Sequence, residues 1–356
     1  MSIVVRKLSP EELPLANVFF NRIYNSKRSF SDFEWEFVHG PAGPAIYIGA
    51  IDTAIKEETK IVGIQCAIPL KMLAPNGSEI LTAKSEDTLV DPEYRGLGIF
   101  DKMYMLLFEE CKELGVKYIW GFTPAYKPFV GVGFKLHFKS SQLLFVQNPL
   151  KAFRYLTQLN PKNRFIDKFK IMGLCMLSKA LTIKAKFYNH KKKFTINSNA
   201  DFELNIDPSS NNELLNLHEN SKFVHWRIID NPYNSYRSIV FSNSANETVA
   251  NVIVNNRTTV GYIERMLFSK NLSDSEKRGI LAHCFSVLEE LKLPPLVRFL
   301  GFEGNEVNKS EITLLREIGF FKVNRGTWFI WKSLDENYNH QPEDVFLNRL
   351  FSQGVI

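Results

Sequence analysis

Asp91-Pro92-Glu93-Tyr94-Arg95-Gly96-Leu97-Gly98-Ile99-Phe100 joins a strand-like run, Ile80 to Val90, to a helix-like run, Ile99 to Leu114. Pro92 closes the strand because it has no amide hydrogen to give to a ladder. Gly96 and Gly98 let the backbone turn sharply and approach a ligand with no Cβ in the way. The helix beyond opens with unpaired N–H groups and a partial positive charge, a setting that suits a phosphate group. Strand, glycine turn and helix together describe a phosphate cradle. It is not a Walker loop, because no Lys-Ser/Thr pair follows the last glycine. Nor is it a Rossmann fingerprint, which needs three spaced glycines where this stretch has two.

The segments outward from the cradle set its context. Ile3 to Lys7 reads as a strand, and Ser9-Pro10-Glu11-Glu12 as the capped start of a helix that runs to about Tyr24. A short helix, Ser31 to Val38, holds Phe33, Trp35 and Phe37 and ends at a Gly/Pro cluster. Strands follow at Ala45–Ile51, Ile61–Leu70 and Ile80–Val90, with Pro75-Asn76-Gly77 as the hairpin turn between the last two. After the cradle helix, Gly115 is a C-cap, Tyr118–Phe122 a strand, and Thr123-Pro124 the lead into another short helix. Gly133-Phe134 precedes a final pair of strands at Lys135–His137 and Gln142–Val146.

Arg95, Gly98 and Phe100 fall on the first, fourth and sixth positions of Arg/Gln-x-x-Gly-x-Gly/Ala, so the stretch resembles motif A of the GNAT superfamily of N-acetyltransferases. The element order of residues 3–148 and the late Gly-Phe resemble that family as well. The resemblance implies that the turn's amides hold the pyrophosphate of coenzyme A. Leu89, Val90, Arg95, Gly96, Leu97, Gly98, Ile99 and Phe100 would then line the acetyl-CoA site, and Thr123 the gap through which the acyl arm passes. Phe100 departs from the pattern, which has a small residue there. With its ring in the core the cradle survives, whereas with its ring toward the phosphates binding suffers.

At 356 residues the chain is long enough for two domains, and its second part repeats the first. Phe202–Ile206 reads as a strand and Asn211–Glu219 as a helix. Trp226 sits in an aromatic helical turn followed six residues later by Pro232, as Trp35 is followed by Pro41. Strands at Ser238–Ser242, Thr248–Asn255 and Thr259–Phe268, a helix at Asp274–Leu291, a strand at Val297–Gly301 and Gly319-Phe320 complete the copy. The copy lacks the cradle, having Ser273 to Ile280 with one glycine in its place, so coenzyme A is expected in the first domain alone.

The expected fold is α+β: two tandem GNAT-like domains, each a mixed, mostly antiparallel sheet flanked by helices. The expected boundaries are 1–150 for the N-terminal domain, 151–200 for a basic helical linker, 201–335 for the degenerate C-terminal domain, and 336–356 for a tail read as a peripheral helix. The linker holds twelve Lys and Arg against one acid, Asp167, a surplus of eleven. The chain's net charge is +6, so the remainder is acidic. The basic run reads either as a solvated helical face or as contact with an anionic membrane surface or a phosphate-bearing partner. Nucleic acid is not expected, because aromatics are not interleaved with the charge. Four scattered cysteines form no CxxC, so neither a disulfide frame nor a metal site is expected. With no apolar leader and no apolar run of spanning length, the expected location is cytoplasmic, with the basic segment peripheral to the membrane in the second reading.

In the reaction that the resemblance implies, an amine attacks the thioester directly. A base near neutral pKa removes the ammonium proton, backbone amides polarise the carbonyl, and an acid protonates the thiolate. Glu86 and Asp87 are the base candidates. Strand alternation lets one of the two face the acceptor. The family's usual tyrosine position holds Phe129, which cannot donate, so Tyr126, one turn earlier, is the substitute acid. Trp35, Phe37 and Trp226 read as core more than as pocket lining. His39 is given no role, and His137 is read as structural. The expected activity is transfer of an acetyl or similar acyl group from coenzyme A to an amine or hydroxyl of a small molecule, such as an amino sugar or a cell-surface polysaccharide precursor. The alternatives are a Fem-like aminoacyl transferase and a non-catalytic acyl-CoA sensor.

Overall fold

The computed structural model describes residues 2–54, 60–158, 164–186, 194–198, 202, 213–256, 260–290, 295–323 and 326–351. In the first half β1 (Ile3–Lys7), α1 (Leu13–Tyr24), α2 (Phe30–Phe37), β2 (Ile46–Asp52), β3 (Lys60–Leu73), β4 (Glu79–Val90), α3 (Ile99–Glu113), β5 (Tyr118–Thr123), α4 (Tyr126–Gly131), β6 (Lys135–Lys139) and β7 (Ser141–Val146) follow in the expected order. α5 (Pro149–Gln158) and α6 (Phe165–Lys186) come next. The second half comprises β8 (Thr195–Asn197), β9 (Asn216–Leu217), α7 (Ser221–Val224), β10 (Tyr236–Ser242), β11 (Thr248–Asn256), β12 (Val260–Phe268), α8 (Asp274–Glu290), β13 (Leu296–Gly301), α9 (Glu306–Glu317), β14 (Phe321–Val323) and β15 (Trp328–Ser333). The fold is α+β with two mixed sheets flanked by helices. In each sheet one neighbouring pair is parallel, β4 with β5 and β12 with β13, and the other ladders are antiparallel.

The two halves exchange a strand. The first sheet runs β1-β2-β3-β4-β5-β15-β6, and the second runs β14-β7-β13-β12-β11-β10-β8. β7, expected beside β6, instead lies between β13 and β14, with Phe299 opposite Leu143 and Phe321 opposite Leu144. β15 fills the corresponding place between β5 and β6, with Ile330 opposite Gly121 and Leu136. The reason is local. Ser140 alone separates β6 from β7, and even the tightest hairpin connections need two residues to reverse the chain. The strand therefore runs on into the other sheet. Where the crossing segments meet, Ser140 N donates to Thr327 O at 2.9 Å and Thr327 N donates to Ser140 Oγ at 3.0 Å. With boundaries at 150 and 335, each half lends one strand to the other's sheet, β7 to the second and β15 to the first.

The exchange gives the halves a shared core. Trp35 and Trp226 stack with centroids 5.7 Å apart, and each indole N–H donates to the other's backbone carbonyl, at 2.8 and 2.7 Å. Both indoles and the Phe37 ring are buried, in agreement with the core reading. Two expectations fail. The 211–219 segment is not helical where described: Asn216–Leu217 is a short strand paired to the end of β3. Residues 203–206, expected as a strand, lie outside the described residues. The tail is not peripheral either. Val345, Leu347, Leu350 and Phe351 are buried in the shared core, and Phe351 packs 5.2 Å from the Trp120 ring. Its apolar side chains fill space between the halves that neither sheet fills alone. Among its described residues the basic linker holds two helices and then β8, which pairs with β10 in the second sheet. α6 packs on the second half, with Ser178 Oγ donating to Gly319 O at 3.0 Å and accepting from Val146 N at 3.0 Å. Lys191, Lys192 and Lys193 lie outside the described residues.

Candidate active site

The candidate site opens where β4 leaves β5. The two strands pair through Thr82, Ala83 and Lys84 only. Gly121 allows the close approach at the apex, where an added Cβ would stand 3.0 Å from the Ser85 carbonyl oxygen. Beyond it β5 continues against β15, while Glu86 to Val90 keep only β3 as a partner. A wedge thus separates the end of β4 from the end of β5. Thr123 lies at the wide end. Its hydroxyl accepts from Ala125 N at 3.1 Å, so its side chain shapes the turn into α4.

The glycine turn closes the wedge. Asp91 accepts from Glu93 N at 3.1 Å, which starts a 3-10 turn, and Arg22 pairs with Asp91 at 2.9 Å. Gly96 and Gly98 take φ of +82° and +67°, values that L side chains rarely adopt. An added Cβ at either would meet nothing within 4 Å, so open space lies beside both glycines. Gly98 caps α3 and has no side chain to bond the first-turn amides. The Arg95 guanidinium is exposed, with Nε 3.3 Å from Val90 O. These features fit a diphosphate: free amides at a helix start, open volume, and one exposed cation beside them. Phe100 does not occupy that volume. Its ring packs 4.8 Å from Tyr104 and 5.3 Å from Phe129, on the side of the core. The two departures from the family pattern, Phe100 and Phe129, therefore pack on one another. Leu97 is exposed, Ile99 is buried beneath the turn, and Leu89 turns into the shared core. Val90 packs against the core beneath α3.

At the start of α8, the corresponding place, the second half has no such turn. α8 begins at Ser273-Asp274, where Ser273 N donates to Glu276 Oε2 at 3.0 Å and Glu276 N donates to Ser273 Oγ at 3.3 Å. The helix start satisfies itself and carries two acids, which repel a phosphate.

Behind the wedge lies a cluster of ionisable groups. A bulge opposite Gln65 shifts the register, so that Leu89 faces Ile64 and Glu86 faces Cys66, and Asp87 takes φ +46°. Strand alternation breaks there, so it does not by itself assign Glu86 and Asp87 to opposite faces of the sheet. Ser85 and Thr88 turn the other way, to the Tyr104 hydroxyl at 2.8 and 3.1 Å. Asp87 is spoken for: the buried Arg28 guanidinium pairs with it at 2.7 Å and the Tyr47 hydroxyl donates to it at 2.6 Å. Glu86 pairs with the buried Lys84 ammonium and keeps 23% of its side chain exposed.

Sequence reasoning missed Glu36. This α2 residue is buried, and its Oε2 has no hydrogen-bond partner. Burial, then the charge of Glu86, pushes its pKa up to about 8, while Lys84 pulls the other way. The available signal was an acid flanked in sequence by two aromatic residues, Trp35 and Phe37. Tyr126 begins α4 half-buried, its ring 5.5 Å from Trp328. Phe129 is a core residue among Tyr104, Phe108 and Phe134. His137 pairs with Glu343 at 3.0 Å.

Comparison with known proteins agrees with this geometry. Residues 4–134 match the family model described as an acetyltransferase (GNAT) domain. No curated protein matches the chain. Among solved structures, a conserved protein of unknown function from Enterococcus faecalis V583, described as a probable N-acyltransferase, superposes with a TM-score of 0.64 at 11% identity, over 94% of this chain and 73% of that one. A tandem GNAT protein from the clavulanic acid biosynthesis pathway gives 0.56 at 12% identity, over 94% and 99%. A glucosamine N-acetyltransferase region of a fungal multi-domain β-N-acetylglucosaminidase gives 0.57 at 12% identity, over 93% of this chain and 38% of that one.

Proposed function

We propose that this chain transfers an acetyl or related acyl group from coenzyme A to an amine or hydroxyl of a small molecule, because residues 4–134 match an acetyltransferase (GNAT) domain and the whole chain superposes on a tandem GNAT protein. The observation that carries this reading is the open start of α3, which has no side-chain cap, beside the β4–β5 wedge. The amides from Gly96 to Ile99 would hold the diphosphate, and the wedge would admit the pantetheine arm between Leu89-Val90 and Thr123.

Glu86 is the base in this reading. It is the partly exposed carboxylate of the cluster, whereas Asp87 is locked by Arg28 and Tyr47 and Glu36 is buried. The acceptor ammonium gives its proton to Glu86, directly or through one water, and the free amine attacks the thioester carbonyl. The β4 backbone that lacks a β5 partner supplies the donors for the developing oxyanion. Tyr126, at the far side of the wedge, protonates the leaving thiolate. The acceptor class is an amino sugar or a similar cationic precursor of cell-surface polysaccharide. The partly exposed Glu86 carboxylate suits an amine, and one structural neighbour carries a glucosamine N-acetyltransferase description.

Calorimetric titration with coenzyme A, followed by thiol-release assays with acetyl-CoA and a panel of amino sugars and polyamines, tests the proposal. Binding with release on an amino sugar supports it. No heat with millimolar ligand ends it, and binding without release on any acceptor makes the site a sensor.

A further inference from the structure

α6 has apolar side chains on two faces, and the chain covers one of them. On the covered face Cys175 and Ser178 are buried against the second half. On the other, Phe165 is 75% exposed, Phe169 64% and Met176 57%, with Ile166, Leu177 and Ile183 more than half exposed as well. At 3.6 residues per turn, residues 165, 169, 176 and 183 form a line along the helix, with 166 and 177 beside it. Lys168 and Lys179 border one edge of this stripe and Lys170 the other. A surface helix needs one apolar stripe. A second, left uncovered over some five turns, marks a docking surface.

The charge selects the occupant. Twelve basic residues against Asp167 crowd residues 151–200, in a chain whose remainder is acidic. A lipid surface meets both features at once: the acyl boundary takes the phenylalanines, and anionic headgroups take the lysines. No described helix is long and apolar enough to cross a membrane. We propose that the outer face of α6 docks this protein flat on an anionic lipid bilayer.

Flotation of the full chain with phosphatidylcholine vesicles, with and without phosphatidylglycerol, tests this. The chain should float with the anionic vesicles, and added salt should release it. Phe165→Asp with Phe169→Asp should lower partitioning by about two orders of magnitude, with an unchanged melting curve because both sites are exposed. Lys168→Glu with Lys170→Glu should lower it by about tenfold or more. Equal recovery with neutral and anionic vesicles, no recovery with either, or an Asp pair that floats like the parent would overturn the proposal. So would a concentration-dependent dimer that the same Asp pair abolishes without any flotation, since the stripe would then belong to a second copy.

Discussion

Glu36→Gln should reverse sign in its effect on stability across the neutral range. The native carboxyl holds its proton up to about pH 8, against 4.5 for the ordinary group. Between those values the folded chain binds a proton that the unfolded chain has released. Unfolding free energy therefore falls as pH rises from the unfolded to the folded pKa, and levels off above it. Glutamine is neutral throughout and removes this slope. At 1.36 kcal/mol per unit, raising the pH from about 5 to about 7.5 costs the parent chain on the order of 3 kcal/mol more than the variant. The unpartnered amide left by glutamine adds a penalty, but one independent of pH, so it cancels in the double difference. Glu311, also buried and pushed up to about 8, titrates alike in both proteins and cancels too. The assay is urea unfolding at the two pH values, followed by tryptophan fluorescence, with Trp35, Trp120, Trp226 and Trp331 buried as reporters. A double difference below about 1 kcal/mol would refute the reasoning, because Glu36 would then be ionised or solvated in the native state.

Three further outcomes follow from the geometry. Gly326→Ala should destabilise by about 3 kcal/mol, because its Cβ would lie 1.7 Å from the Ser140 carbonyl oxygen at the strand crossing; Gly131→Ala, with nothing within 4 Å, is the control, and equal melting temperatures for the two would contradict the crossing. Arg28→Met should cost about 3–5 kcal/mol by stranding the buried Asp87 charge; most of the loss should return in Arg28→Met with Asp87→Asn, and a strictly additive double variant would show that the pair is not coupled. Gly98→Glu should weaken coenzyme A binding by at least about tenfold through bulk and repulsion at the α3 start; calorimetry that finds parental affinity would put the diphosphate elsewhere.

The glycine turn was legible because it is local. Pro92, Gly96 and Gly98 act through their own backbone preferences, and the helix that follows needs no distant partner to begin. The doubling was legible through the repeated Trp and Gly-Phe spacings, and the reciprocal Trp35–Trp226 hydrogen bonds are its three-dimensional form. The 211–219 segment misled because its helical composition was overruled by pairing of Asn216–Leu217 to the end of β3. Asp87 misled because a bulge is set by the opposing strand, so simple alternation cannot find it. The tail misled because its apolar residues have no periodicity until the cavity they fill is known.

Element order, the glycine turn, the missing second cradle and the basic stretch are properties of consecutive residues, and the amino-acid order settles them. Which sheet receives β7 and β15, that Asp87 is neutralised by Arg28, and that Glu36 sits protonated behind Glu86 are contests among groups far apart in the chain. Strand pairing energy is nearly blind to which strand of the right pattern arrives. A carboxyl group's proton affinity likewise depends on the water and charges around it, and packing alone supplies both.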